Sequence, residues 1–314
     1  MAKQADQAAV PDEGRLGAEA GRVRDLLTVG PGPVDLSAID PRGKPGLPSR
    51  KPDPDPKTWS RAAVAQLGTP LAGNQERLYA SARAGGDHRR VLLVLQALDC
   101  GGKDGTIKSV VGAMNPLGLR IKAFGPPTDE ERAHHFLWRI RNALPEPGYV
   151  GVFNRSHYED VLAARVRRLV PPRTWRARYD EINQFEAELA ADGLTIIKVM
   201  LHISYEEQRQ RLLARLEDPT KRWKFNPSDL NDRALWPDFQ AAYEDALTRC
   251  NVDAARWHVV PADRKWYRNW AVANLLLAAL HDMNLTYPDV DLGVAELRKR
   301  LESDTMAGPA AGQP

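Results

Sequence analysis

The sequence predicts a three-layer α/β/α sandwich around a five-stranded parallel sheet. Three observations predict it. Five short apolar or strand-compatible runs alternate with helical periodicity, the pattern of repeated strand–helix–strand units. The run 194–203 (LTIIKVMLHI) is apolar on both faces, as a central strand covered on both sides must be. The polar, chemistry-bearing residues gather just past the carboxyl ends of these runs, where open α/β sheets bind ligands.

The elements follow in order. Residues 1–20 are small and polar and read as disordered, and residues 30–57 are dense in Pro and Gly, reading as an extended arm on the domain or a loose linker. A helix is expected over 58–83, ended by Gly85-Gly86, and a first strand over 91–96. A glycine turn and a helix opening at Lys103 come next. The second strand, 119–124, is stopped by Gly125-Pro126-Pro127, and Thr128 with Glu131 forms a capping box for a helix over 128–142. The third strand, 149–153, runs through NRSHYED into a helix over 156–169, and another helix spans 175–191. After the fourth strand come a helix at 205–217, a polar stretch with aromatics at 218–232, and a helix at 235–250. A fifth strand, 257–261, and a long helix, 263–281, complete the core. The expected organisation is an arm over 1–57, one domain over 58–285 with a lid near 215–235, and a C-terminal helix and disordered tail over 286–314.

Composition narrows the function. The 44 basic residues nearly balance 41 acidic ones and are clustered, which suits a small polyanionic substrate better than coating of nucleic acid. Two cysteines give neither a disulfide framework nor a zinc spacing. The opening MAKQADQAAVPDEG lacks a signal-peptide core, and no stretch reaches the roughly 18 apolar residues of a membrane span. A cytoplasmic enzyme with no membrane partner is expected.

The central stretch is 91–110, VLLVLQALDCGGKDGTIKSV. Strand, glycine turn, lysine and helix is the layout of a phosphate-binding loop, in which turn and helix N–H groups converge on an anion. Gly101, Gly102, Lys103, Asp104, Gly105 and Thr106 are its candidate phosphate binders. Ala97 and Asp104 depart from G-x-x-x-x-G-K-[ST], and a merely structural turn is the competing reading. A cation at a helix start is disfavoured unless an anion sits there, which supports Lys103 as functional. Asp99 would repel phosphate unless a divalent cation lay between them, so it reads as a metal-associated or catalytic carboxylate. In NRSHYEDVL, Arg155 is a candidate phosphate clamp beside Asn154 and the paired acids Glu159 and Asp160. Lys221, Arg222 and Lys224 in KRWKF have the composition of a lid that folds over phosphates.

Taken together, LDCGGKDGTI, NRSHYEDVL, RWKF and PADRKWYRN resemble the second polyphosphate kinase family, the polyphosphate:nucleotide phosphotransferases, over roughly 25–285. The resemblance implies a thymidylate-kinase-like P-loop fold and Mg²⁺-dependent, reversible transfer between inorganic polyphosphate and AMP or ADP, with Mn²⁺ as an alternative ion. It implies that Asp99 and Lys103 serve the moving phosphate, that Arg155 and the 154–160 segment serve the acceptor, and that Arg222 and Lys224 act from the lid. Asn154 stands where other members carry an acid, which leaves Asp99 and Asp160 as metal candidates. The Glu159–Asp160 pair resembles the subgroup that accepts AMP as well as ADP. An ATP-dependent nucleoside monophosphate kinase and a non-catalytic phosphate sensor are the rival functions. A homodimer or tetramer is the expected assembly.

Overall fold

The computed structural model describes residues 12–48 and 55–304. Its elements are α1 (Glu13–Leu27), α2 (Pro56–Gly85), β1 (Arg90–Gln96), α3 (Lys103–Val110), β2 (Leu119–Ala123), α4 (Asp129–Ala133), α5 (Trp138–Arg141), β3 (Val150–Asn154), α6 (Ala163–Val166), α7 (Pro172–Ala191), β4 (Leu194–His202), α8 (Tyr205–Glu217), α9 (Ser228–Ala234), α10 (Trp236–Arg249), β5 (Trp257–Pro261), α11 (Lys265–Asp282) and α12 (Val294–Ser303). The sheet order is β2-β3-β1-β4-β5, all parallel, as the sandwich predicts. β1 is central, with β2 and β3 built on one side and β4 and β5 on the other. The crevice at its carboxyl end is therefore where a ligand belongs.

Side-chain alternation along the strands makes two cores. Val91, Leu93, Leu95, Val150, Ile197 and Val199 face a layer of α1, α2, α3 and α11. Leu92, Val94, Phe153 and Ile196 face α5 and α7, and this layer continues through Met200 and Val259 onto α10. β4 is buried along almost its whole length, which explains its continuous apolar run.

Three expectations need correction. Residues 13–27, read within a disordered or extended N-terminus, form α1, whose Leu16, Ala20, Val23 and Leu27 are buried against α11. That stripe at i, i+4, i+7 and i+11 is an amphipathic face hidden among six charged side chains. The expected disorder of residues 1–11 and of the tail from Ala307 lies outside the described residues. The helix expected over 128–142 is two short ones, α4 and α5, broken at His134-His135, although the Thr128–Glu131 capping box is present. The helix expected over 156–169 is a 3-10 turn, His157–Asp160, followed by α6.

Residues 28–48 form the arm, tied down by named bonds. Val29 N–H donates to the Trp257 carbonyl at 2.8 Å, so the arm begins along the free edge of β5. It then crosses the carboxyl end of the sheet. His202 Nε2 contacts the Ile39 carbonyl at 3.1 Å, and Asp263 N–H donates to the Pro41 carbonyl at 3.1 Å. Tyr267 Oη donates to the Pro45 carbonyl at 2.7 Å. Covering an edge strand this way also protects it from pairing with another chain.

Candidate active site

The loop after β1 is shaped by close approach. A Cβ on Gly101 would overlap the Cβ of Ala97, and one on Gly102 would overlap the Arg268 guanidinium. Gly102 has φ 100° and opens α3 as its N-cap. Cys100 takes φ 63°, a left-handed conformation that costs a residue with a Cβ about 1–2 kcal/mol. Arg155, at the end of β3, has φ 64°. Strained backbone at the ends of two adjacent strands is the usual companion of a functional crevice. Thr106 is fully buried, its hydroxyl on the Gly102 carbonyl at 3.1 Å.

Lys103 lies in the crevice with only 9% of its surface exposed, and its ammonium donates to the Ala97 carbonyl at 2.8 Å. Burial, and then the neighbouring Arg155, push its pKa down to about 8. A lysine held this way gains most from an arriving anion, which restores the charge balance. Arg155 donates to Asp99 at 3.0 Å and lies 3.5 Å from Glu159. Glu159, against the opposing cost of burial, and Asp99 raise the Arg155 pKa, so its charge is permanent. With its amide oriented to satisfy both neighbours, Gln96 donates to Glu159 Oε1 at 3.0 Å. Lys103, Arg155, Asp99 and Glu159 thus form one cluster at the ends of β1 and β3.

Asp104 links two further segments. Its carboxylate accepts from Asn154 at 2.9 Å and from Lys224 at 3.0 Å. Burial raises its pKa, but the bonds to Lys224 and Asn154 outweigh that and leave it lowered. Of the three expected lid cations, only Lys224 reaches the loop. Lys221 pairs with Asp218, and Arg222 Nε caps α8 at the Leu216 carbonyl, 2.7 Å away.

Asp160, the other metal candidate, is engaged by an arginine of α7. Its carboxylate lies 3.2 Å from Arg178, which also donates to the Asp160 carbonyl at 2.9 Å. Burial raises its pKa despite Arg178 and Arg139. In a 3-10 turn successive side chains point about 120° apart, so Glu159 and Asp160 diverge. His202 at the end of β4 and Asp263 just past β5 do structural work. His202 holds the arm, and Asp263 accepts from Ser204 N and Oγ, both at 2.8 Å, at the start of α8.

The crevice thus gathers a buried lysine and a permanently charged arginine beside acids at the ends of two adjacent strands. A family model described as polyphosphate kinase 2 matches residues 57–288. The chain belongs to the polyphosphate kinase 2 family. It is 50% identical over 226 residues to the AMP/ADP-polyphosphate phosphotransferase of Meiothermus ruber, covering 72% of this chain and 83% of that one. It is 39% identical over 231 residues to an ADP-polyphosphate phosphotransferase of Rhodopseudomonas palustris, covering 70% and 78%. The crystal structure of polyphosphate kinase 2 from Arthrobacter aurescens TC1 superposes with a TM-score of 0.85 at 44% identity, covering 91% of this chain and 98% of that one. Membership makes the chain a transferase.

Sequence reasoning missed the residues that hold this kinase loop from behind. Gln208 donates to the Asp99 carbonyl at 3.0 Å, and Arg211 to the Cys100 carbonyl at 2.9 Å. Arg268 reaches the Gly101 carbonyl at 3.3 Å. Burial, then the like charge of Arg211, pushes the Arg268 pKa down to about 9. Arg211 hides in the charged run QRQRLLARL; its i, i+4 partner Glu207, 2.8 Å away, was the available signal.

A divalent ion suits the donor set. Asp99 and Asp104 are hard oxygen donors beside the loop, and Asp99 Oδ2 has no hydrogen bond among the described residues. Mg²⁺ is commonly held by one or two carboxylates together with water and substrate phosphate, so a complete protein cage is not required. None is present: no group of three or more His, Cys, Asp or Glu side chains is placed to hold a metal among the described residues.

Proposed function

We propose that the chain transfers the terminal phosphate of inorganic polyphosphate to AMP and ADP, reversibly and with Mg²⁺ or Mn²⁺. One observation carries the reading: buried Lys103 and permanently charged Arg155 face one crevice at the ends of adjacent strands, each beside an acid. Phosphoryl transfer is catalysed mainly by positioning and by positive charge around the moving group. In this reading Gly101 to Thr106 cradle that group, and Arg155 and Asn154 hold the acceptor's phosphate. Glu159 shapes the acceptor end, and Lys221, Arg222 and Lys224 close from the lid. Asp99, with Asp104, holds the divalent ion, which would neutralise charge on the phosphate oxygens. Asp160 acts through Arg178 instead of binding the ion.

The same reading makes 58–285 the phosphotransferase domain, with the lid at 215–235, and places it in a reducing, cytoplasmic setting consistent with two free cysteines, Cys100 and Cys250. No helix among the described residues is long and apolar enough to cross a membrane. Exposed Val294, Leu297 and Leu301 on α12 support self-association into a dimer or tetramer.

Incubation with AMP, Mg²⁺ and long-chain polyphosphate tests the function. ADP and ATP should form; transfer from ATP alone would assign an ATP-dependent monophosphate kinase, and no transfer from either donor would leave a sensor. Glu159→Asn should lower use of AMP by roughly tenfold more than use of ADP, the size of a lost contact to one substrate group. Equal losses with both acceptors would remove Glu159 from acceptor choice.

A further inference from the structure

The transfer loop leaves β1 through a strained peptide, the one between Asp99 and Cys100, because Cys100 takes φ 63°. A left-handed residue with a Cβ persists only where its surroundings hold it. Two side chains of α8 do the holding. Gln208 donates to the Asp99 carbonyl at 3.0 Å, and Arg211 to the Cys100 carbonyl at 2.9 Å. Among the described residues no other donor bonds the Asp99 carbonyl.

The two clamps differ in what stands behind them. Arg211 is anchored in the core. Its remaining bonds run to the Ala262 and Asp263 carbonyls, at 2.7 and 2.9 Å, and to Glu207 one turn back. Gln208 is anchored to α9, inside the proposed lid. Its Oε1 accepts from Arg233 Nη1 at 3.0 Å, and the same nitrogen donates to the Tyr205 carbonyl at 2.7 Å. The Arg233 guanidinium lies over the Tyr205 ring, 3.4 Å from its centre.

Only an amide fits between these partners. Gln208, Arg211 and Leu212 form the buried face of α8, whereas Gln210 is exposed. A buried amide costs free energy unless both of its ends are bonded, and here both partners lie outside the Gln208 turn. One end must donate to a carbonyl while the other accepts from a guanidinium. A carboxylate would serve Arg233 alone, and an alkyl chain neither. The α9 region also meets the crevice from the front. Lys224, four residues before α9, bonds Asp104, and Asp232 beside Arg233 accepts from Arg167 Nε at 3.0 Å.

We infer that Gln208 is a positioning residue that couples α9 to the transfer loop. Through it the Asp99 peptide, and with it the Asp99 carboxylate 3.0 Å from Arg155, is set by the docking of Arg233. The inference rests on the crevice being the site of transfer, and it holds whether the donor is polyphosphate or ATP.

The test uses the full-length enzyme in a double-mutant cycle of Gln208→Glu and Arg233→Met, assayed with polyphosphate and AMP. Each single change should lower kcat about tenfold, the worth of one buried hydrogen bond, with KM for AMP within about twofold of wild type. The double variant should be no slower than the slower single, because both changes break one path. Losses that multiply, to about a hundredfold, would make the residues independent and overturn the inference. An unchanged kcat in either single variant would overturn it too. Hydrogen exchange of the 97–103 backbone, read without substrate, needs no turnover. In Arg233→Met, a half-buried position that touches neither the loop nor β1, that exchange should quicken about tenfold while the sheet keeps its wild-type rates. Unchanged loop exchange, or faster exchange spread evenly over the sheet, would overturn the coupling. An enzyme inactive with polyphosphate that still shows the local quickening sinks the proposed function and leaves the coupling standing.

Discussion

The seven residues from Asn154 to Asp160 divide between two environments. On the crevice side, Arg155 and Glu159 form loose pairs, Arg155 at 3.0 Å from Asp99 and 3.5 Å from Glu159, with a third of the Arg155 side chain exposed. On the core side, His157 and Tyr158 enter a sealed network. Lys198 and Glu186 are fully buried and 2.6 Å apart. Lys198 also donates to Tyr158 Oη at 2.8 Å and to the Cys250 carbonyl at 2.6 Å, so all three ammonium protons are used. Glu186 Oε1 accepts from Tyr158 at 2.9 Å and contacts His157 Nε2 at 3.1 Å. The crevice charges keep capacity for a ligand; the core charges are satisfied by each other. On the proposed reading one short segment serves as substrate contact and as core anchor, and substitutions can separate the two roles.

Lys198→Met gives the largest expected effect. Removing one member of a buried pair strands the other, and the cost is about 3–5 kcal/mol of unfolding free energy, read from urea denaturation. Adding Glu186→Leu should recover most of that loss. A neutral single variant would mean the core network is not the closed ion pair described. Lys103→Ala is the matching change in the crevice. Loss of a preorganised cation at the moving phosphate should lower kcat by about 10²–10³. Its thermal midpoint should stay the same or rise, because the charge removed is one that burial disfavours. An equally large stability loss would erase the distinction between the two clusters.

How legible this was in the sequence follows the same division. The strands, the parallel sheet and the loop at 99–106 were readable, because a βα unit repeats a local pattern of apolar run, glycine and helix. NRSHYED read as one functional cluster, since adjacency in sequence does not reveal which way a side chain points. The left-handed Arg155 and the following 3-10 turn decide that, and neither leaves a sequence signal beyond the polar residues themselves. Lys198 gave none either: a single lysine in LTIIKVMLHI looks like an interruption, and its partner Glu186 is twelve residues away on another element. α1 was missed for a different reason. Its buried positions are two small and three aliphatic residues, outnumbered by charges, and their face becomes meaningful only against α11.

A pH series probes the crevice more gently. In the free enzyme the Lys103 pKa is about 8, below its ordinary 10.5. A lowered folded-state pKa means that the unfolded chain binds more protons between those values. Lys103 therefore penalises folding when charged, below pH about 8, and stability recovers as pH rises from about 8 towards 10.5. Polyphosphate affinity should move the opposite way. Above pH about 8 the free lysine is neutral and binding must take up a proton, so KM should climb towards about tenfold per pH unit. Lys103→Arg should flatten that rise. A rise that persists in the arginine variant would place the titrating group elsewhere.

Tyr158→Phe is the smallest of these changes and the most direct test of separation. It deletes one hydroxyl that donates to Glu186 and accepts from Lys198, leaving the ring packed against Trp257. Lys198 keeps Glu186 and the Cys250 carbonyl, so no charge is orphaned, and the cost should be about 1 kcal/mol in urea unfolding. If anchoring and acceptor contact are independent, the ratio of kcat/KM for AMP to that for ADP stays at its wild-type value. A shifted ratio would mean that the core network sets the position of Glu159 one residue along. The two faces of the turn would then be one coupled unit.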